Sequence, residues 1–467
     1  MSSTSVNSGN PSSQHSEADE DDLPCEVISA GRKIPARRQL EKRAIRPATP
    51  LHSVSALASS SKLPRCRRKA RRYRRSRDNA VILTEKCHQS ASGLSASFSA
   101  ASAASRDPMA EISPSDNMAA NGSGQQQNKQ EAINTDIITL TRFLTEEQSK
   151  HKEASGDFTL LCHALQFAFK SIAYYIRRAT LVNLTGLAGQ SNATGDDQKK
   201  LDVIGDELFI SAMRSCGRVR VLVSEEQEEL ITFDEFPTAR YAVACDPIDG
   251  SSNLDAGVSV GTIFAVYKLA EGAKGTKEDL LKPGTEMVAS GFTMYGASAQ
   301  LVITMKGGSV NGFTLDTAFG EFILTHPDMR IPKQRAIYSV NEGNSLYWED
   351  PVKEYVNSLK YPQEEGGKPY SARYIGSMVA DAYRTLLYGG IFAYPADKKS
   401  PKGKLRILYE CAPMAMVFEN AGGKAVNSKM ERMLEVTPEH IHDRSGIFMG
   451  SELEVQKVID VHSKYQK

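Results

Sequence analysis

From Phe158 to Arg178 the apolar positions Leu161, Leu165, Ala168, Ile172 and Tyr175 recur at intervals of three and four, the spacing that predicts one buried face of an amphipathic helix. Further on the pattern changes. Apolar runs at 219–223, 241–245, 260–267, 300–304 and 336–340 have the length of strands, and helical segments such as Met378 to Leu387 stand among them. Helices mixed with buried strands predict an α/β chain built of stacked layers. The unit so defined runs from about residue 132 to the C-terminus, roughly 335 residues, which is enough for two layered halves.

Ahead of it the pattern fails. Residues 1–131 are rich in Ser, Ala, Asn, Gln and Arg and offer few apolar groups for a core, so disorder is expected, with only Asn79 to Thr84 hinting at a strand. Charge divides the same way: of 57 Lys and Arg and 56 Asp and Glu in the chain, residues 1–128 hold 19 and 12, so a near-neutral total hides a basic extension and an acidic remainder. Nine basic residues fall within Arg65 to Arg77, the pattern of a nuclear address or a nucleic-acid contact. The expectation favoured here is a solvated tail, with Met109 or Met118 as alternative starts and nucleic acid an unlikely partner. The acidic stretch Glu17 to Asp22 argues against a mitochondrial leader. No run of about eighteen apolar residues occurs, so no membrane span is expected. The seven cysteines are scattered and odd in number, which argues for a reducing compartment and against a disulfide framework or a zinc site.

The chemistry concentrates where two predicted strands end. Val219 to Val223 leads to Ser224-Glu225-Glu226, and Tyr241 to Cys245 leads to Asp246-Pro247-Ile248-Asp249-Gly250-Ser251-Ser252-Asn253. Hard divalent cations take oxygen ligands, so carboxylates and a backbone carbonyl suit them better than His or Cys. If the two strands are neighbours, four carboxylates converge and repel unless cations lie between them; two metals roughly 4 Å apart are the usual arrangement for in-line phosphoryl displacement. The N–H groups of Gly250, Ser251 and Ser252, at a turn into a short helix, form an anion cradle. Asp-Pro-x-Asp-Gly alone is as often an ordinary turn; the Glu pair and the Ser-Ser-Asn run tip the balance.

These residues resemble the signature of the lithium-sensitive, magnesium-dependent sugar phosphatases, and within them the class 1 fructose-1,6-bisphosphatases of the cytosolic, fungal-like type. The resemblance runs from about Thr135 to the C-terminus and includes Lys199-Lys200-Leu201-Asp202, Ser339 to Gly343, Tyr370 to Tyr374, and Lys398 to Glu410. It implies a five-layered αβαβα sandwich, with an N-terminal allosteric half over 132–325 and a C-terminal substrate half over 326–467. It implies Mg2+, with Mn2+ or Zn2+ as substitutes, held by Glu225, Glu226, Asp246, the Ile248 carbonyl, Asp249 and Glu410. The catalytic roles fall to Glu226 in activating water, Asp202 in orienting the nucleophile, and Asp196 on a glycine-rich dynamic loop, Thr180 to Lys200. Substrate contacts fall to Asp249, Gly250, Ser251, Ser252, Asn341, Arg373, Tyr374, Met378, Tyr394, Lys404 and Arg406, with Arg373 reaching in from a neighbouring subunit of a homotetramer. AMP would sit on Ser155, Gly156, Asp157, Phe158 and Thr159, where a helix start offers free N–H groups, together with Arg240, Tyr241 and Lys268.

The chain departs from the family's pattern twice. Lys268 stands for an Arg and loses its bidentate fork, and Asn344 stands where animal enzymes have a phosphate-contacting Tyr, with Tyr347 nearby as a replacement. The activity implied is magnesium-dependent hydrolysis of the 1-phosphate of fructose 1,6-bisphosphate in gluconeogenesis, inhibited by AMP, in the cytoplasm. Sedoheptulose 1,7-bisphosphate and inositol phosphates are the alternative substrates, and a non-enzymatic alternative makes the basic tail the working part.

Overall fold

The computed structural model describes residues 136–191, 197–363 and 366–465, all within the compact unit Asn121–Lys467. The expected disordered extension, the strand at Asn79 to Thr84, the basic run and Asp196 lie outside the described residues.

Seven helices occur among the described residues: α1 Leu140–Ser149, α2 Asp157–Arg178, α3 Lys200–Cys216, α4 Asp350–Lys360, α5 Met378–Tyr388, α6 Ala412–Asn420 and α7 Glu452–Ser463. The face anticipated for α2 is the buried one: Leu161, Leu165, Ala168 and Ile172 are at most 2 % exposed, and Phe169 joins them with its ring 5.4 Å from that of Phe264. Each such large side chain contributes about 1.5–3 kcal/mol by leaving water. Truncating Phe169 to Ala would cost about 3–5 kcal/mol through the cavity left behind.

The five apolar runs are strands, as anticipated. Eight strands form one sheet in the order Glu321–His326, Val310–Asp316, Ala299–Met305, Met287–Tyr295, Gly261–Lys268, Tyr241–Asp249, Val219–Ser224 and Ile231–Thr232. A second sheet runs Ser371–Ala372, Ile337–Val340, Ile391–Tyr394, Ile447–Gly450 and Lys424–Asn427. Helices α1 to α3 cover the outer face of the first sheet, α5 and α6 lie between the sheets, and α4 and α7 cover the second, which makes five layers with three apolar cores. With helices on both faces, all nine residues of Tyr241–Asp249 are buried. That explains why its sequence shows a continuous apolar run in place of alternation.

Candidate active site

Val219–Ser224 and Tyr241–Asp249 are parallel neighbours, with Ser224 beside Cys245, so both acidic segments leave the same edge of the sheet. The Glu225 N–H donates to the Cys245 carbonyl at 3.1 Å and extends the ladder one residue. Behind it, Asp206 of α3 accepts from the Ser224 hydroxyl at 2.6 Å and from the Gln227 amide, which anchors the turn carrying Glu225 and Glu226.

Asp246 and Asp249 are three apart, so a regular strand would point them to opposite faces. Pairing with the next strand shifts between them: Asp246 lies opposite Ile263 and Asp249 opposite Gly261, one residue more on this strand than on its partner. That bulge restores the parity. Gly261 is required there, because a Cβ on it would lie 1.9 Å from the Thr293 carbonyl oxygen. Thr262 then fixes the bulge by donating to the Pro247 carbonyl at 2.7 Å.

The third contributor comes from the other sheet's side. A wide π-type turn over Ile407–Cys411 leads into α6 and brings Glu410 against the bulge, so that one carboxylate oxygen from each of Asp246, Asp249 and Glu410 lies within 4.8 Å of the others. Arg406 counters part of this charge: its guanidinium is 2.5 Å from Glu225 and 3.7 Å from Glu410. Asp202 is 2 % exposed; its Oδ2 accepts the Lys199 N–H at 2.7 Å, and its buried Oδ1 has no hydrogen-bond partner among the described residues.

Burial, and then mutual repulsion, disfavours ionisation here. Asp249 is pushed up to about 7, Glu410 to about 8 and Asp246 well above the carboxylate range, burial leading in each and the Glu225 charge adding to it. Burial likewise takes Glu226 to about 8, against a 2.6 Å bond from Gln198 Nε2, and Asp202 to about 6. A single Arg facing this many buried carboxylates leaves a set of hard oxygen donors short of positive charge. The donor set therefore fits divalent cations of the magnesium class.

The cluster opens into a cavity of about 580 Å³ lined by Asp202, Glu225, Glu226, Asp246, Ile248 and Asp249, by Gly250, Ser251 and Ser252, and by Asn341, Tyr374, Met378, Tyr394, Lys404, Arg406 and Glu410. The turn at Gly250 takes φ +79° and Ser251–Ala256 forms the short helix anticipated. Arg373 is absent from this lining; it is exposed and donates to the Ala372 carbonyl. Asn344 donates to the Tyr394 hydroxyl at 3.4 Å, whereas Tyr347 does not line the cavity, so the suggested replacement is not made within this chain. Gly376, Asp381 and Phe392 are among the wall residues that had not been singled out. Asp381 had a signal, being a lone acid on the apolar face of a predicted helix.

A second cavity of about 420 Å³ is lined by Ser155, Gly156, Phe158, Thr159, Arg240, Tyr241 and Lys268. Gly156, in the left-handed region, precedes α2 and offers no side-chain cap, although the Asp157 N–H donates to the Ser155 hydroxyl oxygen at 3.4 Å. Asp157 is turned to Arg218, 2.8 Å away, and to the Ser155 hydroxyl, and does not line this cavity.

Five αβαβα layers with a buried carboxylate cluster at a strand bulge define a layered α/β sugar-phosphatase fold. Residues 138–327 match the family model "Fructose-1-6-bisphosphatase, N-terminal domain", and residues 331–463 match "Fructose-1-6-bisphosphatase, C-terminal domain". The chain is 60 % identical over 344 residues to fructose-1,6-bisphosphatase of Saccharomyces cerevisiae, 73 % of this chain and 98 % of that one. It is 52 % identical to a cytosolic fructose-1,6-bisphosphatase of Solanum tuberosum over 324 residues, 69 % of this chain and 94 % of that one. Among solved structures, holo Leishmania major fructose-1,6-bisphosphatase superposes with a TM-score of 0.66 at 46 % identity, covering 70 % of this chain and 99 % of that one. The chain belongs to the fructose-1-6-bisphosphatase family.

Proposed function

We propose that this chain hydrolyses the 1-phosphate of fructose 1,6-bisphosphate to give fructose 6-phosphate and phosphate, the direction gluconeogenesis requires, with a magnesium-class cation at the carboxylate cluster. The observation that carries this reading is one cavity lined both by the acidic cluster and by Asn341, Tyr374, Tyr394 and Lys404, a combination suited to a sugar with two phosphates. A monophosphatase would have little use for the second set.

Asp246, Asp249, Glu410, Glu225, Glu226 and the Ile248 carbonyl are the ligands proposed. A bound cation there supplies charge neutralisation and polarisation of the phosphoryl group. The backbone N–H groups of Gly250, Ser251 and Ser252 hold its oxygens. Gln198 fixes Glu226 Oε2, which leaves Oε1 as the atom that accepts the attacking water's proton. Burial raises this carboxyl to about 8 in the metal-free protein; a bound cation would favour its ionised form, the form able to act as the base. Asp202 orients the water, and Asp196 is the further catalytic acid proposed. Lys404, Asn341, Tyr374 and Tyr394 take the distal phosphate, Met378 packs on the sugar, and Arg373 serves a neighbouring subunit's site in a homotetramer.

The second cavity, with a helix start and two cations, suits AMP and makes 132–325 the regulatory half and 326–467 the substrate half. The location proposed is the cytoplasm, and nothing among the described residues bears on a nuclear role for the basic run.

The test is phosphate release from fructose 1,6-bisphosphate by the purified chain, with and without magnesium and with AMP added. Magnesium-dependent release suppressed by AMP is expected. Release from sedoheptulose or inositol phosphates alone would leave the metal chemistry standing and overturn the substrate.

A further inference from the structure

A second buried acid, outside the metal cluster, organises the sugar-side wall of the cavity. Asp381 stands in the first turn of α5 and is 1 % exposed. Its Oδ1 accepts from the Ser339 hydroxyl at 2.7 Å and from the Ile375 N–H at 3.0 Å; its Oδ2 accepts from Ile375 N–H at 3.1 Å and Gly376 N–H at 3.0 Å. Ser339 lies on the strand Ile337–Val340, which ends immediately before Asn341. Ile375 and Gly376 follow Tyr374 and lead to Met378, and Gly376 takes φ +88°, a backbone state that L side chains rarely adopt. One carboxylate thus ties together the strand end carrying Asn341, the turn carrying Tyr374 and the helix start carrying Met378, three pieces of chain that form the wall of one cavity.

The bonds explain how a buried acid is tolerated. Withdrawing a carboxylate from water costs several kcal/mol unless donors replace the lost hydration; here three groups do so, and two of them are backbone N–H groups of the turn.

We propose that Asp381 is a positioning residue for substrate: it sets the spacing between Asn341 and the Tyr374–Met378 turn, and thereby the grip on the sugar and its distal phosphate, without touching the reacting phosphoryl group. The inference rests on the reading of this cavity as the sugar-bisphosphate site.

The test compares the full-length wild type with Asp381→Ala, Asp381→Asn and Ser339→Ala. Asp381→Ala is expected to raise KM for fructose 1,6-bisphosphate about tenfold or more with kcat changed less than about threefold. Competitive inhibition by fructose 6-phosphate should weaken in parallel, while inhibition by orthophosphate and the magnesium midpoint stay put. In Asp381→Asn the amide oxygen can keep the bonds that Oδ2 accepts from the Ile375 and Gly376 N–H groups, but the NH2 at the Oδ1 position faces the Ile375 N–H, so this variant should fall between wild type and Asp381→Ala. Ser339→Ala removes one bond of the set, should raise KM by about threefold, and keeps the test open if the alanine variant fails to fold. A folded Asp381→Ala with unchanged KM overturns the proposal, as does a loss confined to kcat and metal dependence, or an Asp381→Asn as damaged as the alanine variant. A wild type inert toward fructose 1,6-bisphosphate overturns the functional reading itself, and this proposal with it.

Discussion

The Asp249 carboxylate accepts the Val379 backbone N–H at 3.0 Å through Oδ2, so the acidic bulge of the large sheet caps the first turn of α5. The helix's own cap residue, Ser377, makes no side-chain cap bond, and its buried hydroxyl has no partner among the described residues. Asn253 adds a second link by donating to the Gly376 carbonyl at 3.0 Å. The proposed metal ligand and the cavity wall from Gly376 to Met378 are therefore mechanically one piece.

Asp249→Asn separates the two duties of that side chain. The amide oxygen still accepts from Val379, while one of several crowded negative charges is gone. Activity should fall on the order of a thousandfold, equivalent to about 4 kcal/mol of transition-state stabilisation. The melting temperature in chelator should hold or rise, because a repelling carboxylate has been removed. A matching loss of melting temperature would mean that the cap, and not the charge, is what the aspartate supplies.

Metal affinity should climb with pH. Asp249 at about 7, and Glu226 and Glu410 at about 8, all exceed the ordinary value of about 4 that they regain on unfolding. A carboxyl raised in the folded state favours folding fully below that ordinary value, and this contribution is lost as pH rises through the folded value. The metal-free protein should therefore lose stability between about pH 5 and 8. Cation binding expels those protons, so the thermal shift produced by magnesium should be larger at pH 8 than at pH 6. Calorimetry at pH 7 in buffers of different ionisation heat should show proton release, and a shift independent of pH would count against the cluster as the metal site.

Glu226→Gln should reduce kcat by about a hundredfold to ten-thousandfold, the usual worth of a general base, with little change in melting temperature. Retained turnover would remove Glu226 from the proton-transfer role.

Gly403 sets the path of Lys404. It takes φ +85°, and a Cβ on it would lie 2.1 Å from the Ser445 carbonyl carbon. Gly403→Ala should cost more in stability than the about 1–3 kcal/mol of backbone strain alone, since the Cβ also overlaps the Ser445 backbone, and should raise KM by displacing Lys404, as read from thermal melts and initial rates.

Lys268→Arg should tighten AMP inhibition, since the guanidinium restores a two-pronged contact to a phosphate that an ammonium meets as a point charge. Titrating AMP against both forms checks this: kcat without AMP should be unchanged, and equal midpoints would detach Lys268 from the nucleotide.

The amphipathic face of α2, the five buried strands, the turn at Gly250 and the kinds of residue gathered at the acidic edge were all legible along the chain. Each is a local property: the period of apolar positions states which face is buried, and the clustering of carboxylates states which chemistry is available. The parity of Asp246 and Asp249 was not local, because it depends on a bulge defined only against the strand Gly261–Lys268. The pairing of Arg406 with Glu225, the three-way hold of Asp381 and the cap that Asp249 lends α5 likewise join residues far apart in sequence. No periodicity records such contacts. Local pattern was enough for two helices, five strands and the kinds of donor on hand; which donors meet depends on the packed fold, because burying apolar faces in five layers fixes how distant segments approach.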